Sequence, residues 1–157
     1  KDSLREGVAV DEAFGFIYDL LPEGSTTPVV PFMLSRYLPY QASAARCVAL
    51  GKALRKTIES WDSSLSVGLM ASGGLSHQLI DEELDARVVA GLTSGDLADL
   101  AELPRKQLNG APGTPEILNW VTVASAMAPT NMTLVDYVPA FRSLAGTGHG
   151  LTYGIWG

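Results

Sequence analysis

Apolar residues recur at helical spacing between positions 44 and 60 of this chain. Cys47, Leu50, Leu54 and Ile58 fall three or four residues apart, while Arg46, Lys52, Arg55 and Glu59 take the remaining positions. The spacing predicts an amphipathic helix over 44–60. Cys47 lies on its apolar stripe, and nothing nearby in sequence would activate a thiolate, so it reads as a core residue and not a nucleophile. A second helix is expected over 81–91, with Leu84, Val88 and Leu92 inward. Asp81, Glu82 and Glu83 open it, where acidic side chains complement the helix dipole. A short helix from about Gly95 should stop at Pro104, followed by a loop over 107–113. Thr114-Pro115-Glu116 combines a hydroxyl cap, a proline at the first helical position and an acid in the first turn. The helix it starts should run through Trp120 to about Ala128.

Other apolar runs lack this period. Residues 65–71 are apolar without alternation, as in a strand covered on both faces. Residues 29–34 read as a short buried strand interrupted by Pro31, which favours a strand end or edge. Residues 14–21 are mostly apolar and end at Pro22; 22–28 is turn-like around Gly24 and Ser25, and 38–43 is a loop containing Pro39. Late strands are expected over 135–138 and 151–156, separated by a loop over 145–150. Strands alternating with helices predict an α/β fold: a layered sheet of mixed or mostly parallel strands flanked by helices.

Composition narrows the class. At 157 residues, 46% apolar and 18% charged, the chain should fold as one domain with a real core. The formal charge of −6 argues against a general nucleic-acid surface, which needs clustered Lys and Arg. No apolar run approaches the ~20 residues of a membrane span, and residues 1–6 are not followed by the apolar region of a secretory signal. The single cysteine excludes an internal disulfide and fits a reducing cytoplasm, so a cytoplasmic protein without membrane or nucleic-acid partners is expected.

Candidate chemistry centres on the two histidines and one glutamate. His77 follows Ser72-Gly73-Gly74-Leu75-Ser76 at the end of the 65–71 run. Open α/β sheets bind ligands at such strand ends, and imidazole titrates near neutral pH. A histidine bonded in the core or at the next helix start would look similar; the Gly-Gly turn favours a general acid or base. Glu116 on its own reads as a carboxylate placed for the helix dipole, the alternative being a hard oxygen ligand for Fe(II), Mn(II) or Mg(II). His149 lies in Gly146-Thr147-Gly148-His149-Gly150, which lacks the lysine of a phosphate-binding loop, so a surface-loop histidine is expected. Ser72 and Ser76 do not form the Gly-x-Ser-x-Gly elbow of a serine hydrolase.

Taken together, six segments carry a more specific signal. They are Arg46-Cys47-Val48-Ala49-Leu50-Gly51-Lys52-Ala53-Leu54, Ser72-Gly73-Gly74-Leu75-Ser76-His77, Asp81-Glu82-Glu83-Leu84-Asp85, Gly113-Thr114-Pro115-Glu116-Ile117-Leu118-Asn119-Trp120, Asp136-Tyr137-Val138-Pro139-Ala140-Phe141-Arg142 and Ala145-Gly146-Thr147-Gly148. In this order and spacing the chain resembles the class III extradiol ring-cleavage dioxygenases, in the branch of protocatechuate 4,5-dioxygenase catalytic subunits, gallate dioxygenase and methylgallate dioxygenase.

That resemblance implies Fe(II) held by two histidines and a glutamate, with open positions for a catechol and O₂. It places the glutamate at Glu116 and makes His77 the acid/base beside the substrate rather than an iron ligand. The family's two iron-binding histidines come from its N-terminal half, whereas His77 and His149 both match the C-terminal half. Residues 1–157 are therefore expected to be the C-terminal portion of a single α/β catalytic domain. The missing ligands would come from an N-terminal segment or another chain, and a homo-oligomer or such an association is expected. The implied reaction opens the ring of a protocatechuate- or gallate-like aromatic acid with O₂. A non-catalytic, metal-free subunit or binding protein of the same fold is the alternative.

Overall fold

A computed structural model describes residues 12–22 and 27–157, and the chain divides into two compact units, Lys1–Met33 and Leu34–Gly157. In the first, helix α1 spans Glu12–Leu20 and stops before Pro22. The centre of the expected 22–28 turn lies outside the described residues. Residues 29–34 form no strand, and Val30 is 86% exposed. Pro31 removes a backbone donor from a segment that has no ladder partner.

The second unit is built around two packed helices. Helix α2, Ala44–Glu59, matches the predicted range and is capped by Ser43, whose side chain accepts from the Arg46 amide. Cys47 is fully buried, as its place on the stripe requires, and burial pushes its thiol pKa up. Helix α6, Ile117–Met127, is buried almost all round, the pattern of a central helix. Gly51 lets the two approach: a Cβ there would meet the Thr122 carbonyl and lie 2.6 Å from the Ser125 Cβ. The Ser125 hydroxyl donates to the Val48 carbonyl across the same contact. Helices α3, Glu82–Ser94, and α4, Leu97–Ala101, complete the helical layer. Leu84, Val88, Leu92 and Leu100 join Ile117, Leu118 and Val121 in one core. A four-residue helix α5, Arg105–Leu108, takes the start of the expected 107–113 loop.

The sheet differs from the one expected. Strands β1 (His77–Leu79), β2 (Thr133–Phe141) and β3 (Thr147–Ile155) form a sheet of order β1-β3-β2, antiparallel throughout. No parallel pair occurs among the described residues. The β2–β3 hairpin turns at 142–146, where Gly146 takes a left-handed φ of 80°, so β2 runs on to Phe141 and β3 begins at Thr147, inside the expected 145–150 loop. Pro139 is tolerated because β2 is an edge strand.

Residues 65–71 are not a strand. Leu65 and Met70 are 64% and 62% exposed, and no ladder reaches them. An unbroken apolar run states a need for cover on both faces, and no described strand supplies it. Among the described residues no helix is long and apolar enough to cross a membrane.

The α2–α6 contact yields a direct test. Gly51→Ala should lower the free energy of unfolding by about 1–3 kcal/mol through overpacking. Lys52→Ala, on the exposed face, should stay within about 0.5 kcal/mol. Urea denaturation followed by circular dichroism measures both.

Candidate functional site

His77 opens β1, directly after the glycine turn, and that turn is held from several sides. The Leu75 amide donates to the Gly150 carbonyl at 2.9 Å, and the Gly150 amide donates to the Ser76 carbonyl at 2.8 Å. From α6, the Asn119 amide group donates to the Ser72 carbonyl at 2.7 Å and the Trp120 indole to the Gly73 carbonyl at 3.0 Å. The His77 amide donates to the Thr114 hydroxyl at 3.3 Å. Thr114 is thus not the side-chain cap expected of it. The 114–116 segment is a 3₁₀ turn with Gly113 before it and no side-chain cap bond.

A buried carboxylate on α3 closes the turn. Asp85 is fully buried and accepts from the Ser76 amide at 2.7 Å, the Ser76 hydroxyl at 2.7 Å and the Tyr137 phenol at 2.8 Å. The Ser76 hydroxyl in turn accepts from the Asp81 amide at 2.9 Å. Burial raises the Asp85 pKa against the opposing effect of these bonds. Burial and the neighbouring Asp85 carboxylate likewise raise the Tyr137 phenol. Asp85 shares its buried stripe on α3 with Val88 and Leu92. An acid in phase with an apolar stripe is the sequence signal for this residue, which the pattern of opening acids obscured.

The turn delivers His77 to Glu116. The imidazole Nδ1 lies 3.5 Å from Glu116 Oε2, and Arg36 Nη1 lies 3.9 Å from Oε1. Both His77 and Glu116 keep about a quarter of their side-chain surface exposed. Two glycines make the space. A Cβ on Gly113 would overlap the His77 ring, and one on Gly73, whose φ is +112°, would overlap the Glu116 carboxylate. Gln78, next to His77, has φ +73°, a conformation that costs a non-glycine residue about 1–3 kcal/mol.

His149 is not on a surface loop. It lies within β3, directly opposite His77 in the β1–β3 register, and is only partly exposed. The ring centroids are 3.9 Å apart with planes at 84°. Burial, then the neighbouring His77 and Arg142, hold the His149 pKa below the usual imidazole range. His77, Glu116 and His149 are thus contiguous, joined by Arg36, which the residue pattern did not single out. A nearby cleft of about 370 Å³, bordered by Leu79, Ile80, Asp81, Gln107, Ala111 and Thr114, includes neither His77 nor Glu116.

Residues 14–149 match the family described as the catalytic LigB subunit of aromatic ring-opening dioxygenase. The chain belongs to this family. It is similar to a gallate dioxygenase of Pseudomonas putida, with 32% identity over 121 residues, covering 69% of this chain and 35% of that relative. The chain therefore spans about a third of the length of the curated relative it matches. No solved structure matches it.

Membership in the LigB family raises the question of a metal. Glu116 offers a hard oxygen donor with imidazoles beside it, the right donor types for ferrous iron. Yet among the described residues no three His, Cys, Asp or Glu side chains form a group that could hold an ion. The His77–His149 contact is ring on ring, and the two Glu116 oxygens face His77 and Arg36. The described residues by themselves do not fit an iron centre.

Two outcomes follow from these contacts. Asp85→Ala should destabilise the fold by about 2–4 kcal/mol, since it strands two buried donors of Ser76 and the half-buried Tyr137 phenol, and Tyr137→Phe by about 1–2 kcal/mol; chemical denaturation reads both. The lowered His149 pKa means that the folded state disfavours its protonation. Its stabilising contribution is present above the unfolded-state pKa and is lost as pH falls below about 6.5. His149→Phe should flatten the loss of stability in that acid window, measured as the urea midpoint against pH.

Proposed function

We propose that this chain is the C-terminal portion of an Fe(II)-dependent extradiol dioxygenase that opens the ring of a catechol-type aromatic acid, protocatechuate- or gallate-like, with O₂. The observation that carries the reading is the pairing of His77 with Glu116 at 3.5 Å, on the two motifs that mark the family. His77 is the acid/base. With Nδ1 turned to a carboxylate, the neutral ring carries its proton there and presents the Nε2 lone pair, so Nε2 takes a proton from a catechol hydroxyl. The adjacent carboxylate stabilises the imidazolium that results, and the same nitrogen then returns the proton to oxygen. Arg36, 3.9 Å from the other carboxylate oxygen, adds positive charge beside the site, which suits an anionic substrate.

Glu116 is the proposed iron ligand. On this reading its carboxylate would supply one oxygen donor to the iron, and two further imidazoles would come from an N-terminal segment or another chain. The whole works as an oligomer or as an association with that segment, in the cytoplasm. The lack of a three-donor group among the described residues favours a second reading, a metal-free subunit or binding protein on the same fold. Iron quantification on the assembled protein separates the two: stoichiometric iron excludes the metal-free subunit.

Loaded anaerobically with Fe(II) together with the segment that supplies the remaining ligands, the protein should consume O₂ and release yellow ring-opened product from protocatechuate or gallate. No oxygen uptake across a panel of catechols overturns the reading. His77→Phe should lower turnover about 10²–10⁴-fold with iron retained, whereas Glu116→Ala should lose iron. Equal iron loss in both variants contradicts the separate roles.

A further inference from the structure

We propose that His149 is a positioning residue: its ring holds the His77 imidazole in the orientation that turns Nδ1 to Glu116 and leaves Nε2 toward the substrate side. The inference rests on the acid/base reading of His77 for its catalytic meaning, but its geometry stands apart from that reading. His77 and His149 are direct cross-strand partners, and directly opposed residues project from the same sheet face with adjacent Cβ atoms. The ladder therefore brings the two rings together whatever else the site contains. Their 84° interplanar angle is the edge-to-face arrangement that aromatic quadrupoles favour, and the 3.9 Å centroid separation leaves no room for a layer of water between them.

Other contacts limit the imidazole from its root. The His77 amide is fixed on Thr114, and the ring lies against the backbone of Gly113 where no Cβ intervenes. The polar contact is to Glu116 Oε2 through Nδ1, and among the described residues Nε2 makes no hydrogen bond. A ring flipped about its Cβ–Cγ bond would lose the carboxylate. The perpendicular His149 ring restricts that rotation, because the swept ring would strike it. Three neighbours thus define the ring: a hydroxyl on its backbone, a carboxylate on one nitrogen and an imidazole packed against its body. His149 stays neutral near pH 7 owing to its burial and to His77 and Arg142, so it packs there without setting a second positive charge beside His77.

An uncharged aromatic ring is what the contact requires. Phenylalanine at 149 should therefore preserve the orientation, and alanine should not. The chain contains two histidines, so the imidazole nitrogens of the full ¹⁵N-labelled 157-residue chain can be assigned by single substitution. At about pH 8, where free imidazole is neutral, two-bond ¹H–¹⁵N spectra report which nitrogen carries the proton.

The wild-type chain should show His77 as a single tautomer protonated at Nδ1, with nuclear Overhauser contacts between the two rings. His149→Phe should retain that tautomer. His149→Ala should average the two His77 nitrogens, while Leu79→Ala, which weakens the same strand pair away from the rings, should leave His77 unchanged. Absence of ring-to-ring contacts in the wild type overturns the proposal, as does an unchanged His77 tautomer in His149→Ala or an averaged one in His149→Phe. If His149→Ala fails to fold, the wild-type contacts and the phenylalanine variant decide. In the assembled enzyme, His149→Ala should lower kcat about tenfold with KM within about twofold, the pattern of a group that acts on chemistry rather than on binding. A protein that passes the spectroscopic test yet opens no catechol loses the dioxygenase reading and keeps the His149 contact.

Discussion

A carboxyl group buried at Asp85, with no cation beside it among the described residues, is the constraint on which the rest of this structure depends. Removing a charged or polar group from water is costly unless hydrogen bonds replace the water. Asp85 meets that requirement with donors from two other parts of the chain: the amide and hydroxyl of Ser76, and the phenol of Tyr137. Helix α3, the glycine turn and strand β2 must therefore converge. Once Ser76 is fixed, His77 has a defined place at the start of β1, and the exchange of amide and carbonyl bonds with Gly150 seats β3 beside it.

Helix α6 applies a second clamp to the same turn. Within seven residues it and its 3₁₀ lead-in supply Thr114 to the His77 amide, Asn119 and Trp120 to the turn carbonyls, and Glu116 to the His77 ring. This explains why segments so far apart in sequence occur together. The Gly-Gly-Leu-Ser-His turn, the Asp-Glu-Glu-Leu-Asp helix start, the Thr-Pro-Glu turn and the Tyr137 strand are four sides of one arrangement. The Ala-Gly-Thr-Gly segment belongs to it as well, because the Ile80 amide donates to the Gly146 carbonyl.

The parts of the fold that local chemistry determines were legible in the sequence. Helices α2 and α3 follow from a 3.6-residue apolar period and α6 from the start signal at Thr114-Pro115-Glu116, features that close within a few turns of chain. The strands were less so. An apolar run such as 65–71 reports that burial is favourable but not which segment provides the cover, and the antiparallel pairing of β1 with β3 depends on residues some seventy positions apart. The site divides the same way. His77 stands out by type and by turn chemistry, Glu116 only through the family resemblance, and the fold places them side by side. His149 read as a loop residue because flanking glycines mimic a turn; cross-strand pairing, invisible to local pattern, puts it against His77. Asp85 figures in the pattern only as the end of the Asp81-Glu82-Glu83-Leu84-Asp85 segment, although its phase matches the apolar stripe.

Gly73 and Gly113 show that the emptiest positions of this site are also its most occupied. The volumes where their side chains would begin are filled by the Glu116 carboxylate and the His77 ring. Replacement by alanine, which elsewhere deletes atoms and so reports what a side chain contributed, would here insert one. The site is thus delimited as much by hydrogen atoms on two α-carbons as by the groups that carry its chemistry. Sequence drift toward even the smallest side chain at these two places would displace the acid and the base before touching either of them.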